Sequence, residues 1–305
     1  MEFGKIPESE LGTVDFTLPP DGIYTQKVLN GNPVAKPNVY VGGAKWGPKE
    51  WVGVIYPAKT KESAFLEHYV KHFNSIELNA THYKIYSEES IRKWADKATG
   101  RDFKFCPKVP QIISHYTDLG SLRARELTNA FLAGVHAFGE SLGPIFLQVS
   151  EKYAPTRKAQ LISYLRDLPT DLRFFAEVRH PEWFADPEVR EFLFSNLHEH
   201  HIGAVLTDTS ARRDCLHMEV TVPETMIRFV GNGLHPTDFE RIDAWVERLK
   251  SWFQNGLHTV YFFMHQHDEM DTLELCAYFI KRVNSVCNLA IEPPRFINQE
   301  RSLFD

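Results

Sequence analysis

Hydrophobic and polar positions along this chain follow two periods in alternation. Short segments of period two, rich in aromatic and β-branched residues, are separated by longer segments with apolar residues at helical spacing. The strand-like segments are Val39–Trp46, Ser75–Tyr83, Asp102–Pro110, Pro144–Ser150, Leu172–His180, Gly203–Thr209, Met226–Gly231 and Thr259–His267. Amphipathic stretches lie between them: Lys61–Phe73, Glu88–Ala98, Leu122–Leu142, Arg157–Leu168, Pro187–His200, Pro236–Asn255 and Glu269–Cys287. The sixth connection, Ser210–Thr225, has the weakest helical pattern. Eight alternating units predict an α/β chain whose parallel strands close into a (β/α)8 TIM-type barrel. The competitor, an open doubly wound sheet, would carry a glycine fingerprint after the first strand, and Gly42-Gly43-Ala44-Lys45-Trp46-Gly47 lacks the GxGxxG spacing.

Turn signals at Pro19-Pro20-Asp21-Gly22 and Asn30-Gly31-Asn32-Pro33 set residues 1–37 apart as an N-terminal extension packed on the barrel. Residues 38–292 are expected to form the barrel, and residues 293–305 a C-terminal tail.

The faces of the strands carry the functional information. In Ser75–Tyr83, Ile76, Leu78 and Ala80 share one face, and Glu77, Asn79 and Thr81 share the other. A solvent-facing edge strand would give the same pattern, but the pattern recurs. Lys104, Cys106 and Lys108 alternate with Phe103 and Phe105, and Gln148 with Leu147 and Val149; Glu177 and Arg179 share a face with Phe175. Later strands add Asp208 (on the face of Ala204 and Leu206), Arg228, and the pair His265 and His267. Seven strands thus offer a polar group to the barrel interior. An ion-pair plug is the structural alternative. Buried ion pairs are poor stabilisers, however, and barrel enzymes place their chemistry at the C-terminal ends of their strands.

Composition narrows the field. The chain has 305 residues, 43% of them hydrophobic and 24% charged, enough apolar material for a large core. A net charge of −6 argues against a duplex-DNA surface. No apolar run approaches the ~20 residues of a membrane-spanning helix. Four cysteines without CxxC spacing suggest reduced thiols, and Met1–Lys5 lack the order of a secretory leader, so a cytoplasmic location is expected.

Several segments together resemble the YecE-like family, also called domain of unknown function 72 (DUF72). They are Val41–Trp46, Tyr56-Pro57, Glu77–Tyr83, Lys104–Pro110, the Glu177-Val178-Arg179-His180-Pro181-Glu182-Trp183 run, and Arg228–Gly231. The resemblance spans about residues 39–288 and implies a barrel, without supplying a reaction. This chain departs from the family pattern at Gln148–Glu151 and at His265–Asp268.

The candidate chemistry follows from the inward set. Glu77, Glu177 and His180 are the candidate proton-transfer groups, since two carboxylates in unlike environments can divide acid and base roles. Lys108, Arg179 and Arg228 are expected to clamp an anion, Asn79, Gln148 and Asp208 to orient polar substituents, and Trp46 and Trp183 to offer stacking surfaces. His265, His267 and Asp208 form a candidate divalent-metal set; no other cofactor is expected. The Gly231-Asn232-Gly233 turn before a capped helix is a candidate phosphate cradle. The expected function is an enzyme (hydrolase, isomerase or lyase) acting on a small polar molecule, anionic or sugar-like. The alternatives are a metal-dependent phosphoesterase with nuclease-like chemistry, and a non-catalytic ligand-binding or scaffold protein.

Overall fold

The computed structural model describes residues 3–297; the rest of the expected C-terminal tail, residues 298–305, lies outside them. Eight strands alternate with helices: β1 (Asn38–Gly42), β2 (Ser75–Leu78), β3 (Lys104–Pro107), β4 (Ile145–Gln148), β5 (Phe174–Glu177), β6 (Gly203–Asp208), β7 (Glu224–Val230) and β8 (Thr259–His265). All pairings are parallel, in a six-stranded sheet of order β1-β8-β7-β6-β5-β4 and a two-stranded sheet β2-β3. The fold is therefore α/β with parallel strands, and the expected single closed ladder is interrupted at two junctions.

Both junctions are bridged locally. Between β3 and β4, Gly143 N donates to Phe105 O (2.7 Å) and Val109 N to Phe146 O (2.9 Å). Between β1 and β2, the Asn74 side chain replaces a ladder rung: its Oδ1 accepts from Val41 N (2.6 Å) and its Nδ2 donates to Val39 O (2.9 Å). The strands approach so closely here that a Cβ on Gly42 would lie 2.0 Å from Ser75 O. Gly42→Ala is accordingly expected to cost about 1–3 kcal/mol, because the obstacle is backbone and cannot rotate away. Urea unfolding would measure it; an unchanged midpoint would mean that β1 and β2 separate freely.

Apolar residues divide into two compartments. Tyr40, Cys106, Phe146, Phe175, Val205, Met226, Tyr261 and Phe263, contributed by seven strands, form an inner cluster. A larger shell between strands and helices includes Val41, Ile76, Leu78, Leu147, Ala176, Leu206, Ile227 and Phe262. The strand residues thus alternate between the two compartments, as the period of two requires.

The sixth connection contains no α-helix, only a 3-10 turn at Arg213–Cys215 followed by chain without regular structure. The N-terminal extension fills that position. Its helix Ile23–Val28 docks on Met218–Val220: Thr25 Oγ1 donates to Met218 O (2.6 Å), Val220 N to Thr25 Oγ1 (2.7 Å) and Tyr24 N to Glu219 Oε2 (2.9 Å). Flanking helices hold it on either side, through Tyr24 Oη to Glu191 (2.6 Å) and through Arg248 and Trp252 to Asp21. Nearer the chain start, the extension reaches the C-terminal rim of the strands. Thr209 Oγ1 donates to Phe3 O (3.1 Å), Ala211 N donates to Gly4 O (2.9 Å), and the Phe3 ring stacks 3.9 Å from the Arg179 guanidinium.

Candidate functional site

Above the inner apolar cluster the same strand faces become ionic. Arg228, from β7, is 2% exposed and lies between two carboxylates. Its Nε and Nη2 donate to the two oxygens of Glu77 on β2 (both 2.8 Å), and its Nη1 donates to Glu177 Oε2 on β5 (2.7 Å). Glu177 Oε1 also accepts from Arg179 Nε (2.6 Å) and Thr207 Oγ1 (3.0 Å). Asn79 Nδ2 donates to Glu77 Oε1 (2.9 Å), and His265 Nε2 to Glu77 Oε2 (2.9 Å). Burial alone would raise both carboxyl pKa values. The guanidiniums and hydrogen bonds outweigh it, taking Glu177 to about 2 and Glu77 well below the ordinary carboxylate range. Both are ionised at neutral pH with their oxygens engaged. They hold Arg228 and Arg179 in position, and the expected acid–base division between them does not fit this geometry.

Lys108 completes the charge set. It follows β3, is 8% exposed, and passes its ammonium 6.0 Å from the Phe146 ring centroid. Among the described residues no hydrogen bond or ion pair reaches that ammonium. Desolvation, aided by the positive charge of Arg228, lowers its pKa from 10.5 to about 8 despite the two glutamates. The inner rim therefore sets three cations, Lys108, Arg179 and Arg228, against two carboxylates, and the surplus charge is the lysine.

A cavity of about 1060 Å³ opens over this network. Lys108, Gln148, Arg179, Arg228, Asn79, His265 and His267 line it, and Trp46 stands on its wall, packed edge-on to Trp94 with ring centroids 5.4 Å apart. Glu77 and Glu177 lie beneath it, reached only through their partners.

Three expected site residues lie elsewhere. Asp208 faces outward: Val205 and Thr207 occupy the inner face of β6, while Asp208 is ion-paired to Arg213 and Arg241 and accepts from Trp245 Nε1 (2.8 Å). β6 keeps the expected period of two with the opposite face inward, and Asp208 therefore serves as an anchor for the helix Pro236–Gln254. His180 turns away from the cavity, its Nδ1 accepting from Glu182 N (3.3 Å). Trp183 is fully buried and donates to Tyr153 O (2.7 Å), leaving no face for stacking.

The candidate metal set does not assemble. Asp208 is outside the cavity, His265 is committed to Glu77 and His267 is exposed; among the described residues no group of three or more His, Cys, Asp or Glu is arranged to hold a metal. The Gly231–Gly233 cradle is likewise occupied by the chain itself. Asn232 N donates to Asp238 Oδ2 (2.7 Å), Gly233 N to Gln266 Oε1 (3.2 Å) and Gly231 N to His265 O (2.9 Å), which uses the donors a phosphate would need.

Residues not singled out from sequence also line the cavity. His82 and His115 stand with ring centroids 5.1 Å apart beside Lys108. The His82 Nδ1 proton is donated to Val109 O (3.0 Å), so Nε2 is the acceptor; burial and Lys108 lower its pKa to about 4, keeping the ring neutral. The expected strand Ser75–Tyr83 ends at Leu78 and turns into a helical segment at Ala80–Tyr83, so the two-residue period does not place His82, and His115 follows the helical turn Gln111–Ser114.

Similarity to known proteins agrees on one family. The chain is 29% identical over 255 residues to the UPF0759 protein YecE of Escherichia coli strain K12, covering 78% of this chain and 89% of that protein. It is 28% identical over 160 residues to the UPF0759 protein YunF of Bacillus subtilis strain 168, covering 49% and 53% respectively. Crystal structures of DUF72 family proteins share the fold. One from Enterococcus faecalis V583 superposes with TM-score 0.61 at 17% identity, over 84% of this chain and all (100%) of the other. One from Thermotoga maritima MSB8 superposes with TM-score 0.56 at 21% identity, over 78% and 97%. The family described as "Protein of unknown function DUF72" matches residues 40–296, and the chain belongs to it.

Proposed function

We propose that the cavity binds a small, hydroxylated anion and that the protein is an enzyme of the hydrolase, isomerase or lyase type acting on it. The observation that carries this reading is the Lys108 ammonium, buried at the cavity wall with no hydrogen-bond or ion-pair partner among the described residues. An uncompensated buried charge is costly, and a ligand carboxylate or phosphate would remove that cost. Arg228 adds to the attraction: three of its five N–H donors go to the glutamates, leaving two. Asn79 and Gln148 supply the polarity that hydroxyl groups need, and Trp46 an apolar wall. In this reading Glu77 and Glu177 are positioning residues for the arginines, and proton transfer falls to cavity groups such as His82, His115 and Lys108.

The same reading takes the two sheets as one (β/α)8 barrel, supported by the backbone bonds at the β3/β4 junction, the Asn74 side-chain bridge at the β1/β2 junction and the inner cluster drawn from seven strands. No helix among the described residues is long and apolar enough to cross a membrane. Its cysteines are unpaired, which favours a reducing cytoplasm.

Thermal-shift measurements with a panel of sugar phosphates, hydroxy acids and inorganic phosphate test the proposal. At least one anion is expected to raise the melting temperature of the wild-type protein, with the shift lost in Lys108→Met and reduced by salt. Equal shifts in the two proteins would locate the binding elsewhere.

A further inference from the structure

We propose that Lys108 is a carbonyl-reactive lysine, and that the cavity takes a 2-oxo acid or a keto-phosphate whose carbonyl carbon condenses with the Lys108 amine. This deepens the anion-binding reading and rests on it.

The geometry sets Lys108 apart from a simple charge clamp. A lysine serving only as a counter-ion gains from being paired and hydrated, whereas this one is buried at the cavity wall against the Phe146 ring. Its amine is not held by any acceptor among the described residues, so no hydrogen bond must break before the nitrogen lone pair is used. The neighbouring positive charge of Arg228 discourages protonation of the amine and is fixed in place by Glu77 and Glu177. The guanidinium thus does two things at once: it keeps the amine nucleophilic and attracts the anionic end of the ligand. Anchoring that end beside Arg228 brings an adjacent carbonyl within reach of a side chain on the same wall.

The reaction balances without a redox partner. The neutral amine adds to the carbonyl carbon, forming a C–N bond and a carbinolamine. The former carbonyl oxygen then leaves as water, carrying one proton from the amine and one from solvent. The product is a protonated imine that retains one N–H. With the amine at about 8, half of Lys108 is neutral at that pH, against roughly one part in three hundred for an ordinary lysine.

Reductive trapping tests the inference on the full chain. The protein is incubated with glyoxylate, or separately with dihydroxyacetone phosphate, in the presence of cyanoborohydride, and the modified lysines are located by peptide mass spectrometry. Lys108 is expected to be labelled on the order of tenfold faster than exposed lysines such as Lys49 and Lys93, with a rate that rises with pH around 8. Inorganic phosphate is expected to slow that labelling, and Lys108→Arg to leave only the background on the exposed lysines. Labelling of Lys108 no faster than the exposed lysines, together with an anion-induced thermal shift that Lys108→Met removes, would overturn the condensation and leave the anion site standing. Loss of both signals would overturn the inference and the reading beneath it.

Discussion

Arg228→Met is expected to destabilise the protein by roughly 3–5 kcal/mol, the usual result of leaving buried charges without their partner. The substitution keeps much of the side-chain volume, so the loss would report electrostatics more than packing. Glu77 and Glu177 would then face each other beneath the cavity with their shared guanidinium gone. The pH dependence distinguishes this from a cavity effect. In the wild type Glu177 is held at about 2 instead of its ordinary 4.5, so its contribution is complete above 4.5 and is lost as the pH falls through about 2. In Arg228→Met the carboxyl pKa values should rise above their unfolded values, which reverses the sign: the variant should gain stability as the pH is lowered from 7 toward 5. Adding Glu77→Gln and Glu177→Gln should recover part of the loss, because neutral amides need no counter-charge. Urea unfolding at pH 5 and pH 7 measures both effects; a variant whose deficit is the same at the two values would sink the electrostatic account.

Lys108→Met should move in the opposite direction. Holding a lysine at about 8 instead of 10.5 carries a penalty on the order of 3 kcal/mol. Methionine fills a similar space without a charge, so a gain of about 1–2 kcal/mol is expected at neutral pH, the difference being lost contact and imperfect repacking. The penalty is fully present below pH 8 and is relieved as the pH rises toward 10.5, where the unfolded lysine also loses its proton. The stability gap between variant and wild type should therefore narrow across that window. The same substitution should abolish anion-induced stabilisation. A more stable protein that no longer binds is the signature of a residue kept for function at the expense of the fold; a less stable variant would mean that Lys108 is structural.

The fold and much of the site were legible because strand residues alternate strictly. Glu77, Gln148, Glu177, Arg228 and His265 come from five strands, with Lys108 one residue past the end of a sixth, and the alternation puts them on one face. The rule fixes a period but not which face is which. On β6 both faces are largely apolar, so the single charge, Asp208, favours its own face as the inward one in sequence, whereas in the structure the hydroxyl of Thr207 is the group that reaches Glu177. A signal for the other answer lay in the helix Pro236–Gln254, where Asp238, Arg241 and Trp245 fall on one face at helical spacing and are buried. A buried arginine needs a carboxylate, and Asp208 supplies it. The roles of the glutamates were less legible. Carboxylates at strand ends look the same whether they carry protons or brace arginines, and only the distances to Arg228 decide between them. His82 stands in a short helical turn, inside a stretch whose alternation predicts strand, and His115 directly follows another, so their approach to Lys108 depends on how the chain turns after β2 and β3.

The docking of Ile23–Val28 against Met218–Val220 joins segments 195 residues apart. A ribosome makes the first of these long before the second, so for most of translation the early helix has no seat and its apolar residues stay in water. That delay gives a practical criterion for dissecting the protein: a version trimmed to residue 38 should collapse around its strands yet leave a groove between two helices, and a synthetic peptide covering residues 14–37, added in trans, should occupy it.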